Sequence, residues 1–126
     1  NNQSNSNFAS GFRVINALPN GAAFTGNSAT SNGRNAAGAI INPFADGFEF
    51  DNTVAGAITN NTATSNGDRG FQFGGNLAAT GVVTGNTASL NDGDGFDFQS
   101  TVDAGSTARS CHFQRVSGTV VNAEPR

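Results

Sequence analysis

Apolar and polar positions alternate with a period of two in short runs, and the runs recur along the chain. Phe48-Glu49-Phe50, Phe71-Gln72-Phe73 and Phe96-Asp97-Phe98 each put two phenylalanines on one face of an extended segment and a polar residue on the other. Thr62-Ala63-Thr64 and Thr87-Ala88-Ser89 alternate in the opposite sense, the small alanine pointing inward and the hydroxyls outward. A third short strand, Ala57-Ile58-Thr59 or Val82-Val83-Thr84, lies between these two kinds. Gly and Asn interrupt every window that could be helical. The pattern predicts strands only.

The strands belong to a repeat. Ala57 to Phe73 and Val82 to Phe98 align without a gap, and Ala23 to Asn32 repeats the first half. A Gly-Phe-x-Phe column starts at Gly11, Gly47, Gly70 and Gly95, and again in degenerate form as Gly118-Thr119-Val120-Val121, in steps of 36, 23, 25 and 23 residues. The long step is 11 residues over a 25-residue coil, which predicts an inserted loop over residues 33–45. The fold expected is a single all-β domain, a parallel β-solenoid of about four to five coils of 23–25 residues, with three short strands per coil. Stacking puts like on like. Phe48, Phe71 and Phe96 should form one internal ladder and Phe50, Phe73 and Phe98 a second. Asn61 and Asn86 should stack at one corner and Asn66 and Asn91 at another. There Asn accommodates a left-handed backbone, and its amide can bond along the ladder.

The run Thr84-Gly85-Asn86-Thr87-Ala88-Ser89, followed by Asn91, Gly93-Asp94-Gly95-Phe96 and Phe98, resembles the right-handed parallel β-helix (PbH1-type) repeats of pectate-lyase-like proteins, periplasmic copper-accessory-type proteins and many exported surface proteins. The resemblance implies a right-handed coil, which the general preference of parallel crossovers also favours. It further implies an extracellular or cell-surface location.

Composition narrows the partners. The net charge is -3 and all basic residues are Arg, so no basic patch is available for nucleic acid. No apolar run approaches the roughly 20 residues of a membrane span. The single cysteine, Cys111, excludes an internal disulfide. Asn2-Gln3-Ser4 and Asn60-Asn61-Thr62 are glycosylation acceptor sequences.

The ends suggest self-association. Asn1, Asn2, Gln3, Ser4, Asn5, Ser6 and Asn7 align under Asn60 to Asn66, so residues 1–7 are expected to form an open end strand. Residues 118–126, with Gly118, Thr119, Val120 and Val121, are expected to form the other. Neither carries a capping unit, and open strand edges pair with other chains. The expected function is that of a non-enzymatic structural or adhesive subunit that stacks head to tail with itself, with surface glycans as a candidate second partner.

Three further constellations carry possible chemistry. Asp94 and Asp97 flank Phe96, with Asp68, Arg69, Asp46, Glu49 and Asp92 in neighbouring coils. The alternative function, a carbohydrate-binding or polysaccharide-cleaving β-helix, would use Asp68, Asp94 and Asp97 as acid, base or ligand beside Arg69. No cofactor or metal is expected, although Asp92-Gly93-Asp94-Gly95-Phe96-Asp97 partly resembles a calcium loop. Cys111-His112 falls where a corner Asn is due; adjacent strand residues point apart, which argues against a nucleophile pair. The columns Ser28 and Thr30, Thr62 and Thr64, Thr87 and Ser89 form a hydroxyl face similar to ice-binding surfaces, a third and weaker alternative.

Overall fold

The computed structural model describes residues 1–109 and 116–117. Each coil contributes three short strands in chain order. The first holds β1 (Gln3–Asn5), β2 (Phe12–Val14) and β3 (Ala23–Thr25); the second β4 (Ser28–Thr30), β5 (Phe48–Phe50) and β6 (Ala57–Thr59). The third holds β7 (Thr62–Thr64), β8 (Phe71–Phe73) and β9 (Val82–Thr84); the fourth β10 (Thr87–Ser89), β11 (Phe96–Phe98) and β12 (Thr107–Arg109). β13 (Val116–Ser117) adds a strand of a fifth. The strands pair in parallel as three stacked sheets: β1-β4-β7-β10, β2-β5-β8-β11-β13 and β3-β6-β9-β12. The molecule is a parallel β-helix.

Register follows the repeat. Phe48 pairs with Phe71 and Phe71 with Phe96, while Phe50 pairs with Phe73 and Phe73 with Phe98. Their rings stack within 8° of parallel at centroid distances of 4.6–5.3 Å, close to the roughly 4.8 Å spacing of neighbouring strands. Phe12 extends the first ladder at 5.1 Å from Phe48. Phe24 meets Phe12, Phe48 and Phe50 edge-on from the opposite sheet. Each such ring contributes about 1.5–3 kcal/mol by burial and about 0.5–1.5 kcal/mol more by aromatic contact, so the ladders dominate the core.

Opposite the rings the sequence uses the smallest residues. Ala29, Ala63 and Ala88 are buried in the β4-β7-β10 sheet. They lie against Gly47, Gly70 and their kin, where the chain turns from one sheet to the next. A Cβ at Gly70 would lie 2.7 Å from Ala88 Cβ and from the Gly95 carbonyl, so only glycine fits. A fourth column, Leu18, Val54, Leu77 and Val102, joins the coils by single parallel bridges after the phenylalanine strands. Each residue stands four positions after Val14, Phe50, Phe73 or Phe98.

Two details depart from the sequence-based expectation. The left-handed residue at each corner precedes the stacked Asn rather than being it. Ser6, Ser31, Ser65 and Leu90 precede one Asn column; Gly26, Asn60 and Gly85 precede the other; all have φ between 55° and 68°. The left-handed step turns the next side chain inward, which is why Asn32, Asn61, Asn66 and Asn86 are fully buried. Secondly, Phe96 and Asp97 pair with Val116 and Ser117, where the repeat leads one to expect Thr119 and Val120. Gly118, Thr119, Val120 and Val121, and with them Cys111 and His112, lie outside the described residues.

The expected insertion leaves the second coil after Asn32. It closes on itself through the antiparallel bridge Arg34↔Ile40 and returns at Ala45, which is buried. Its Arg34 lies along the Asn corner. Arg34 Nε donates to the Ser65 carbonyl at 2.6 Å, and Nη2 reaches Asp92 Oδ1 at 3.1 Å, two coils further on.

Candidate functional site

The first coil presents the candidate interface. Among the described residues β1, β2 and β3 are each paired on one side only. Ser28 N–H donates to the Asn2 carbonyl and Ser6 N–H to the Thr30 carbonyl. The alternation of a parallel ladder then turns the N–H and C=O groups of Gln3 and Asn5 toward the open side. Inside the ring of edges, Phe12, Val14, Leu18 and Phe24 pack against the buried core yet are only partly covered. This is an apolar end face framed by unpaired backbone.

Two Asn ladders give the face a direction. In the column Asn2, Asn27, Asn61 and Asn86, the backbone N–H and Nδ2 of each of the first three donate to Oδ1 of the Asn in the next coil, at 2.9–3.0 Å. Asn7, Asn32, Asn66 and Asn91 repeat the arrangement at 2.8–3.2 Å. The second Nδ2 proton of Asn32, Asn61 and Asn66 goes to a backbone carbonyl, of Ser4, Phe24 and Ala29 respectively. Every rung donates toward the C-terminal end and accepts from the N-terminal end. Asn2 and Asn7 head the two ladders, and among the described residues nothing donates to their Oδ1 atoms. Of the residues expected to self-associate, Asn1 to Asn7 therefore supply an edge strand and both ladder heads. The apolar end residues were missed by the sequence reading, although Phe12 and Val14 occupy the Gly-Phe-x-Phe column and Leu18 keeps the spacing of Val54.

The second constellation lies on the outer side of the phenylalanine sheet and its preceding turns. The structure brings Asp68, Arg69 and Asp97 together and adds Asp46. Arg69 Nε bonds Asp97 Oδ2 at 2.8 Å; Nη1 bonds Asp68 Oδ2 at 2.8 Å and approaches Asp46 Oδ1 at 3.7 Å. The Arg69 backbone N–H donates to Asp46 Oδ1 at 2.9 Å. Asp94 occupies the coil above Arg69, its carbonyl accepting from Gly70 N–H. Asp92 is drawn to Arg34 instead. Asp46 and Asp97 are buried, at 2% and 7% exposure, although their strand and turn positions face outward: the Arg69 side chain lies lengthwise over them.

Burial pushes the Asp46 carboxyl up to about 7; the Arg69 N–H bond pulls it down and the negative charge of Asp68 adds to the rise. Burial also raises Asp68, against the pull of Arg69. For Arg69, burial opposes the charge but the carboxylates of Asp68, Asp46 and Asp97 outweigh it, so its pKa lies above the ordinary value. The cluster is a clasp between coils. Among the described residues no three His, Cys, Asp or Glu side chains are grouped to hold a metal ion, and no helix is long and apolar enough to cross a membrane.

The hydroxyl columns face outward as expected. Within them Thr64 Oγ1 lies 3.3 Å from Ser89 Oγ. Comparison of the chain with family models, with curated proteins and with solved structures finds no significant match.

Proposed function

We propose that the protein is a non-enzymatic structural module that stacks head to tail with copies of itself into a β-helix filament, outside the cell or at its surface. The observation that supports this most is the end face of the first coil, where partly covered apolar side chains sit within three unpaired parallel edges. A second copy can extend all three sheets and cover Phe12, Val14, Leu18 and Phe24 at once.

The Asn ladders set the polarity. A copy docking on this face must offer donors to the Oδ1 atoms of Asn2 and Asn7. Head-to-head contact would set acceptor against acceptor. The contact is thus heterologous, and a heterologous contact that does not close on itself propagates. The resemblance of the repeat to those of exported β-helix proteins supports the extracellular setting and a right-handed coil. The Asp46–Asp68–Arg69–Asp97 clasp fits the same role, since it ties the second to the fourth coil on a face that stacking leaves uncovered.

Sedimentation velocity over a range of concentrations tests the proposal. The expected result is a series of oligomers growing with concentration. Monomer alone at every concentration would overturn it.

A further inference from the structure

A cleft of about 280 Å³ opens beside the first two coils, between the outer face of β2 and β5 and the insertion. Ser10, Arg13 and Glu49 form its floor; Ala9, Asn42 and Phe44 form its walls. The wall is held in place. Asn42 Nδ2 donates to the Phe8 carbonyl at 2.8 Å, and the Ile41 and Asn42 N–H groups donate to the Gly33 carbonyl at 2.8 and 3.0 Å. The floor is a fixed polar array: Ser10 Oγ donates to Glu49 Oε2 at 3.1 Å, and Arg13 Nε lies 3.4 Å from Glu49 Oε1 and 2.9 Å from Asp51 Oδ2.

The phenylalanines mark the cleft out. Of the ten in the described residues, eight are buried or partly buried in the coil interior. Of the other two, Phe44 at 80% exposure walls this cleft, while Phe8 at 67% lends it only the backbone carbonyl that holds Asn42. An exposed aromatic ring above a floor of guanidinium, carboxylate, amide and hydroxyl groups is an amphipathic site, apolar on one side and dense in donors and acceptors on the other.

We propose that this cleft binds an uncharged pyranose ring of a glycan. The C–H face of a pyranose matches the Phe44 ring, and its hydroxyls match Arg13, Glu49, Asn42 and Ser10. The volume sits at the lower edge of the roughly 300–1,000 Å³ usual for small-molecule sites, which suits a single ring. Arg13 is matched by Glu49 and Asp51, so the floor offers no surplus positive charge and disfavours uronic acids. Its floor includes Arg13 on the outer side of β2, beside the end face, but the lining is complete without a second copy.

Saturation-transfer-difference NMR with methyl glycosides of glucose, galactose, mannose and N-acetylglucosamine, and with galacturonic acid as the charged comparison, tests this. Transfer to the ring C–H protons of at least one neutral sugar is expected, with less to galacturonic acid. Phe44→Ala should weaken binding roughly five- to tenfold while the circular dichroism spectrum and melting temperature stay unchanged, because the ring is exposed. No transfer from any of the four neutral sugars would overturn the proposal, as would equal transfer from the Phe44→Ala variant.

Discussion

Leu90 holds a left-handed backbone at φ 56° with a branched side chain 67% exposed, where the same corner of the other coils uses Ser6, Ser31 and Ser65. An L-residue pays about 1–2 kcal/mol to sit there and glycine does not, so Leu90→Gly should stabilise the fold by about 1 kcal/mol and raise the melting temperature by a few degrees. Asp46 behaves differently. Its folded pKa of about 7 lies above the ordinary carboxyl value near 4, so between the two the folded state binds more protons than the unfolded chain. Stability from this group is complete below about pH 4 and is lost as the pH rises through about 7. Asp46→Asn keeps an acceptor for the Arg69 N–H and removes the titration. Thermal melts should show the variant gaining on the parent by on the order of 2 kcal/mol between pH 4 and pH 8. A sequence reading sees Asp46 and Arg69 as neighbours in the repeat but not their burial, because an outward turn position reads as solvated. It takes the long Arg69 side chain, folded over three carboxylates, to exclude water there. The position of the left-handed residue was equally hidden, since nothing in Leu90 itself announces that conformation.

At the scale of strands and ladders the sequence was far more legible. Period-two alternation fixed which face of Phe71-Gln72-Phe73 is buried, and the repeat fixed its partners, because a one-residue slip would turn every ring outward. The fourth column escaped notice because Leu18, Val54, Leu77 and Val102 are single residues with no alternation around them. The length of the insertion could be read from one long step, but not the path of its Arg34 along the Asn corner to Ser65 and Asp92. The ladders also rank substitutions. Phe71 is fully buried between Phe48 and Phe96, so Phe71→Ala should cost about 3–5 kcal/mol in denaturant unfolding. Phe12 touches a ring on one side of the stack only and is partly covered. Phe12→Ala should cost the single chain clearly less, yet weaken stacking more than Phe71→Ala does at equal folded fraction, as read by sedimentation.

For the molecule as a whole, three sheets, two Asn ladders and an apolar core all run to the same open face and all point the same way. A proline at an edge residue whose N–H faces outward removes an intermolecular bond without removing an internal one. Gln3→Pro should therefore leave the melting temperature of the single chain nearly unchanged and abolish growth of oligomers. Electron microscopy of the purified chain at neutral pH tests the central claim most directly. Head-to-tail stacking gives unbranched fibres one β-helix wide, with an axial repeat of about 20–25 Å for four to five coils spaced about 4.8 Å apart, and none from Gln3→Pro. Discrete particles the size of one chain, from parent and variant alike, would contradict it.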